Sequence, residues 1–283
     1  MNSDRLQSAL DLHERGFTPQ ALEIMDDLVR IEPQNPTYRY NRAILRSEME
    51  NEQGAIEDLD VAIQLLPQNA DLYHARALSR KNSGDLKGAV ADMDLAIQHL
   101  PSDPDNFLFR GNCKLDLKDR SGAIADYTEA IRCFPEFIAA WYNRALVYAA
   151  RKDYFPAIRD LSKCIELEPS SIDFLLERGR LNIQALEFEA AILDFTQAIH
   201  LRPNEALLYL YRGHAQMQAG LTIEAVEDYG RSIRFNPKLS EAYRFRGAAN
   251  LHLGLKADAC SDWKTASELG DAEAQRFWTA HCN

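Results

Sequence analysis

Pro33, Pro67, Pro101, Pro135, Pro169, Pro203 and Pro237 follow one another at steps of 34 residues, with no insertion between them. A step this regular across 283 residues calls for an array of like supersecondary units, each stacking on the next. Two antiparallel helices of about 14 residues, with two short turns, fill one such unit.

Counting each unit from residue 2, 36, 70, 104, 138, 172, 206 or 240 aligns more than the prolines. Position 20 is alanine in all eight copies: Ala21, Ala55, Ala89, Ala123, Ala157, Ala191, Ala225 and Ala259. Position 8 is alanine or glycine throughout, and position 27 is small except at Leu28. Position 24 is bulky throughout, as in Tyr127, Phe195 and Trp263, and position 4 is bulky in most copies. Small residues at 8, 20 and 27 let two helix backbones approach, and the bulky ones fill the space between hairpins. The proline follows the second helix and stops it from running on. Gly16, Gly84, Gly220 and Gly254 stand just after the first helix, where a left-handed cap is expected. Between these marks the apolar residues keep helical spacing, as Ala123, Ile124, Tyr127, Ala130 and Ile131 do.

This combination of period, small residues and terminal proline resembles the tetratricopeptide repeat (TPR) family, over residues 2–270 as eight copies. The resemblance implies an all-α solenoid: helix-turn-helix repeats stacked into a right-handed superhelix, with a concave groove lined by the first helices. Repeat one departs from the pattern with Arg5 at position 4, and repeat eight has Asp271 in place of the proline. Terminal copies face water on one side, so such departures are expected there. The tail, 271–283, reads as a capping helix. Asp271 can cap its N-terminus, and Ala274, Trp278 and Cys282 share one face.

Position 7 is arginine in repeats two to eight (Arg42, Arg76, Arg110, Arg144, Arg178, Arg212, Arg246). Position 23 is aspartate in the same seven (Asp58, Asp92, Asp126, Asp160, Asp194, Asp228, Asp262), and repeat one lacks both. An arginine ladder for an anionic ligand is one reading. Joint presence and joint absence favour the other, a buried structural pair linking a first helix to a second helix of the same or a neighbouring repeat.

In the family, positions 2, 5, 6, 9, 12 and 13 of the first helix tend to line the concave face. The resemblance therefore implies a partner-binding groove that includes Tyr40, Asn41, His74, Phe109 and Asn112. It continues through Tyr142, Asn143, Leu176, Arg180, Leu210, Tyr211, His214 and Phe245. The C-terminal half of this set is apolar, which marks either a binding surface or tight packing between adjacent first helices. Tyr142 and Tyr211 are the best single anchors. The chaperone-binding subset of the family holds a C-terminal carboxylate with lysine at position 5 and asparagine at 9, then further amides and cations. Here Arg244 at position 5 is followed by Ala248, and Asn112 at position 9 is preceded by Leu108, so that clamp is absent.

Composition narrows the remaining classes. With 32 basic and 43 acidic residues the net charge is −11, which disfavours a phosphate backbone as partner. No stretch approaches the roughly 18 apolar residues that span a membrane. The charged start MNSDRLQSALDLHERG does not read as a signal peptide. The five cysteines are scattered and odd in number, and free thiols in a reducing cytoplasm are the simplest reading. No nucleotide loop and no metal-ligand spacing appears among the dispersed histidines and cysteines, so neither a metal nor a cofactor is expected. Cys113 and Cys164 fall where packing is expected rather than reactivity. The expected function is a protein-interaction adaptor or scaffold that takes a mostly apolar peptide or partner segment in its groove. A self-associating, homo-oligomeric scaffold is the alternative, and an enzyme or enzyme subunit is the least supported class.

Overall fold

The computed structural model describes residues 2–282, and every regular element among them is an α-helix. The helices form hairpins in chain order: α1 (Asn2–Glu14) with α2 (Thr18–Ile31), α3 (Pro36–Glu48) with α4 (Glu52–Leu65), α5 (Ala70–Asn82) with α6 (Leu86–His99), and α7 (Pro104–Asp116) with α8 (Arg120–Cys133). Next come α9 (Ile138–Ala150) and α10 (Tyr154–Leu167), α11 (Ile172–Gln184) and α12 (Phe188–Leu201), α13 (Ala206–Gln218) and α14 (Thr222–Phe235), and α15 (Ser240–His252) and α16 (Lys256–Glu268). A last helix, α17 (Ala272–Cys282), follows. The chain forms two compact units, Met1–Ala140 and Trp141–Asn283. Within each, successive helices pack on one another as in a TPR solenoid.

The turn inside each hairpin needs one left-handed residue. Gly16, Gly84, Gly220 and Gly254 supply it at φ 80–88°. In the other four repeats Glu50, Lys118, Lys152 and Leu186 adopt it at φ 61–68° without being glycine. The hairpin geometry therefore overrides the residue's own preference, at about 1–2 kcal/mol each.

The eight position-20 alanines are fully buried at 0% exposure, which lets the helices of each hairpin close. Positions 8 and 24 are matched. Glycine at 8 (Gly111, Gly179, Gly213, Gly247) stands against an aromatic ring at 24 (Tyr127, Phe195, Tyr229, Trp263). Alanine at 8 accompanies methionine or leucine at 24 (Met25, Leu59, Met93, Leu161). The volume removed from one helix is returned by the other, as close packing requires.

The seven aspartates at position 23 are all buried, at 0–5% exposure, and each receives its own repeat's arginine. The pair is thus a structural tie between the two helices of one hairpin. The same guanidinium also reaches back to the preceding repeat: Arg42 to Asp26 at 2.9 Å, Arg76 to Asp60 at 2.6 Å and Arg110 to Asp94 at 2.6 Å. In the second unit that outer partner is a hydroxyl, Ser162 for Arg178 and Thr196 for Arg212. The aspartate's additional donor changes in step. It is Arg46, Arg80 or Lys114 in the first unit, and an amide, Asn182 or Asn250, in the second. Asp58 and Asp228 depart from this pattern, each taking one more arginine, Arg39 at 2.7 Å and Arg231 at 3.2 Å. Position 4 completes the arrangement. Tyr73, Phe107, Trp141, Tyr209 and Tyr243 each lie under the guanidinium one turn on, at 4.9–5.8 Å. The hydroxyls of Tyr73 and Tyr209 donate to the carbonyls of Pro67 and Pro203, tying first helices to the punctuating prolines.

At the C-terminus Asp271 caps α17 by accepting from the Ala274 N–H at 2.9 Å. Ala274, Trp278 and Cys282 pack with Trp263 and Ala266 of α16. This packing corrects the expectation of five free thiols. Cys260 and Cys282 form a disulfide with Cα atoms 5.7 Å apart, because the capping face of α17 lies against the α16 turn that carries Cys260. The expectation of a reducing compartment rests on unpaired thiols, and this pair removes part of that basis. Cys113, Cys133 and Cys164 remain free thiols.

Candidate functional site

The residues expected to line the groove all lie on first helices, and the structure distributes them unevenly. In the first unit Tyr40 is half-buried and, like Ile44 and Phe109, packs against the buried core. Tyr40 and Asn41 share a cleft of about 210 Å³ between α1 and α3, with Leu10 and His13 opposite. Asn41 donates to the Thr37 carbonyl. His74 meets Asn106 at 2.9 Å and its ring lies 5.0 Å from that of Phe109, whose other neighbour is the Lys81 ammonium. Asn112 accepts from the Tyr127 hydroxyl at 2.8 Å, which fixes it as part of the hairpin's packing.

In the second unit Tyr142, Leu176, Arg180 and Tyr211 come together on one cleft of about 460 Å³, built by α9, α11 and α13. Tyr142 is half-buried and its ring tilts against Phe174 at 5.4 Å. Burial, then Glu177 and Asp173, push its hydroxyl above the ordinary tyrosine range. The Arg180 guanidinium stacks 4.7 Å from the Tyr211 ring centroid, donates to the Tyr211 hydroxyl and touches Glu177 at 3.5 Å. Asn143 is half-buried on the same helix as Tyr142 and is not among the cleft residues.

Further along, Leu210 is only 3% exposed and belongs to the core formed with Ala225, Tyr229 and Ala242. His214 and Phe245 are half-buried with their rings tilted against each other at 5.6 Å, and burial holds the His214 imidazolium below the ordinary histidine range. Phe245 also carries the Arg244 guanidinium at 4.4 Å, which bridges to Asp271 at 2.8 Å and Glu273 at 2.9 Å. Here the tighter-packing reading of the groove holds for Leu210. Leu176, Arg180 and Tyr211 stay open to the cleft.

Several cleft residues were missed from sequence. Asp173 and Leu207 occupy position 2, on the family's groove list but polar in one repeat and apolar in the other. Arg202 and Glu205 come from the turn between α12 and α13, flanking the punctuating Pro203, and that position was their only signal. Reactive chemistry finds no support in the thiols. Cys113 and Cys164 are buried, and burial pushes both up, Cys164 to about 12. Among the described residues no group of three histidine, cysteine or carboxylate side chains is placed to hold a metal ion, and no helix is long and apolar enough to cross a membrane.

Two models of the tetratricopeptide repeat match the sequence, over residues 12–78 and 110–161. No curated protein sequence matches the chain significantly. Among solved structures, MamA is 27% identical over 58% of this chain and 96% of its own, with a TM-score of 0.53. The C-terminal part of a TPR repeat-containing protein from Cytophaga hutchinsonii is 18% identical over 96% of this chain and 98% of its own, with a TM-score of 0.63. YrrB, described as a TPR protein with an unusual peptide-binding site, is 16% identical over 66% of this chain and 97% of its own, with a TM-score of 0.57. Repeat period, hairpin packing and both family models agree, and the chain belongs to the tetratricopeptide repeat family.

Proposed function

We propose that this protein is an adaptor whose second unit binds an extended or helical segment of a partner protein in the cleft between α11 and α13. As a TPR protein it is an interaction scaffold in general terms. The observation that carries the specific reading is the meeting of Tyr142, Leu176, Arg180 and Tyr211 on one open cleft of about 460 Å³. Aromatic side chains and arginine at the centre of such a depression are the residue types that dominate protein interfaces. The cleft is built on packed helices, so little ordering is left for the receptor when a segment docks, and an affinity on the order of micromolar, about −8 kcal/mol, is expected.

A photo-crosslinking residue placed at Leu207, in the cleft, and at Leu193, 71% exposed on the second helix α12, separates the two faces of the unit. Partner adducts formed from position 207 and lost in Tyr142→Ala/Tyr211→Ala support the cleft. Adducts from position 193 alone move the site to the second helices. Adducts to the same chain favour the self-associating scaffold.

A further inference from the structure

The cleft of the second unit has an electrostatic asymmetry that specifies its occupant further, given that it binds a peptide at all. Asp173 and Glu177 stand one turn apart on α11 and both line it. Like charges at that spacing on a helix repel each other. Among the described residues no cation lies within ion-pair distance of Asp173, and Glu177 has only the 3.5 Å contact with Arg180. Both carboxylates face the Tyr142 hydroxyl closely enough to disfavour its ionisation, so that end of the cleft is at negative potential. Glu205 adds a third carboxylate at the rim.

The cleft also shows what such surroundings hold. Arg180 is a guanidinium seated on a tyrosine ring, bonded to its hydroxyl and touching a carboxylate. Tyr142 with Asp173 repeats that set of groups without a cation of its own, and Glu177 lies between the two sets. Of the two arginines at the cleft, Arg180 is engaged in this way, and Arg202 lies in the turn that also carries Glu205. An anionic side chain entering at Tyr142 would meet two carboxylates. A cationic one would gain both, together with the ring face.

We propose that the Tyr142 end of the cleft is a subsite for an arginine or lysine side chain of the partner segment, with an apolar neighbour of that residue resting on Leu176 and Leu207. The net charge of −11 draws cationic segments toward the protein before they dock.

Fluorescence anisotropy on the full chain tests this, with short Leu- and Phe-rich labelled peptides that differ only in a central arginine, citrulline or glutamate. Citrulline keeps the shape of arginine and removes its charge. The arginine peptide is expected to bind about tenfold more tightly than its citrulline form, a typical worth of a charged hydrogen bond. Asp173→Asn/Glu177→Gln should erase that preference, so that the arginine and citrulline peptides bind alike, with thermal melting showing an intact fold. Equal binding of the arginine and citrulline peptides, or preference for glutamate, overturns the subsite while the cleft itself stands. Binding by none of the peptides, or binding indifferent to Tyr142→Ala/Tyr211→Ala, overturns the cleft reading and the subsite with it.

Discussion

Gly179 lies directly beneath the ring of Phe195: a methyl group at Gly179 would come within 2.7 Å of two of its ring carbons. The same contact recurs at Gly213 and Tyr229 and at Gly247 and Trp263. Gly179→Ala should therefore destabilise the second unit by about 1–3 kcal/mol through overpacking, in spite of alanine's better helix propensity. Gly179→Ala/Phe195→Leu recreates the alanine–leucine pairing of Ala145 and Leu161 and should recover most of the loss. Denaturant unfolding of the two single variants and the double variant measures the coupling, and simple additivity would refute the matched-volume account.

Arg144 and Asp160 provide a second cycle. Asp160 is fully buried and the Arg144 side chain is 12% exposed. Arg144→Ala leaves a buried carboxylate without its principal partner and should cost about 3–5 kcal/mol. Adding Asp160→Ala should cost less than the sum of the two single changes, because the stranded charge is gone. Equal costs in series would show that the two sites do not interact.

His214 sets a pH dependence. Its folded pKa lies below the ordinary value of 6.5 because the ring is buried. Above 6.5 both folded and unfolded states are neutral and the group is silent. As pH falls below 6.5 the unfolded state takes up the proton first, so stability declines until the folded pKa is reached. His214→Gln should remove that decline. Melting temperatures of both proteins between pH 7.5 and 5 test it: parallel curves would mean that His214 titrates as in the unfolded chain.

The Cys260–Cys282 disulfide closes a 22-residue separation around α17. A loop of that size constrains the unfolded chain by about 3 kcal/mol. Cys282→Ser, or reduction with dithiothreitol, should raise amide exchange across α17 and leave the first unit unchanged. Rapid alkylation of Cys260 and Cys282 without reductant would show the bond to be absent.

Leu186 carries two local costs, a φ of 63° and 73% exposure of its side chain. Leu186→Gly relieves the first, worth about 1–2 kcal/mol, against about 0.5–1 kcal/mol of added chain entropy. A small gain in stability is expected in thermal melts. A loss would show that the leucine side chain makes contacts that outweigh its strain.

The repeat period, the hairpin order and the buried alanine column were legible in the sequence. In a solenoid each unit touches only itself and its neighbours, so the pattern that builds one hairpin is written afresh in each copy. The arginine–aspartate tie could be read for the same reason: both members recur and disappear together. Contacts that depend on how one hairpin sits against the next could not be read this way. The distance between first helices decides that Leu210 sinks into the core while Leu207, on the same helix, stays open to the cleft. The same spacing seats Arg180 on Tyr211, 31 residues away. The glycine–aromatic match was present as letters, but only the interhelical distance gives it meaning. The disulfide and the left-handed Leu186 likewise follow from where packing places the backbone. One depends on α17 lying across Cys260. The other depends on a hairpin turn that needs a positive φ whichever residue occupies it.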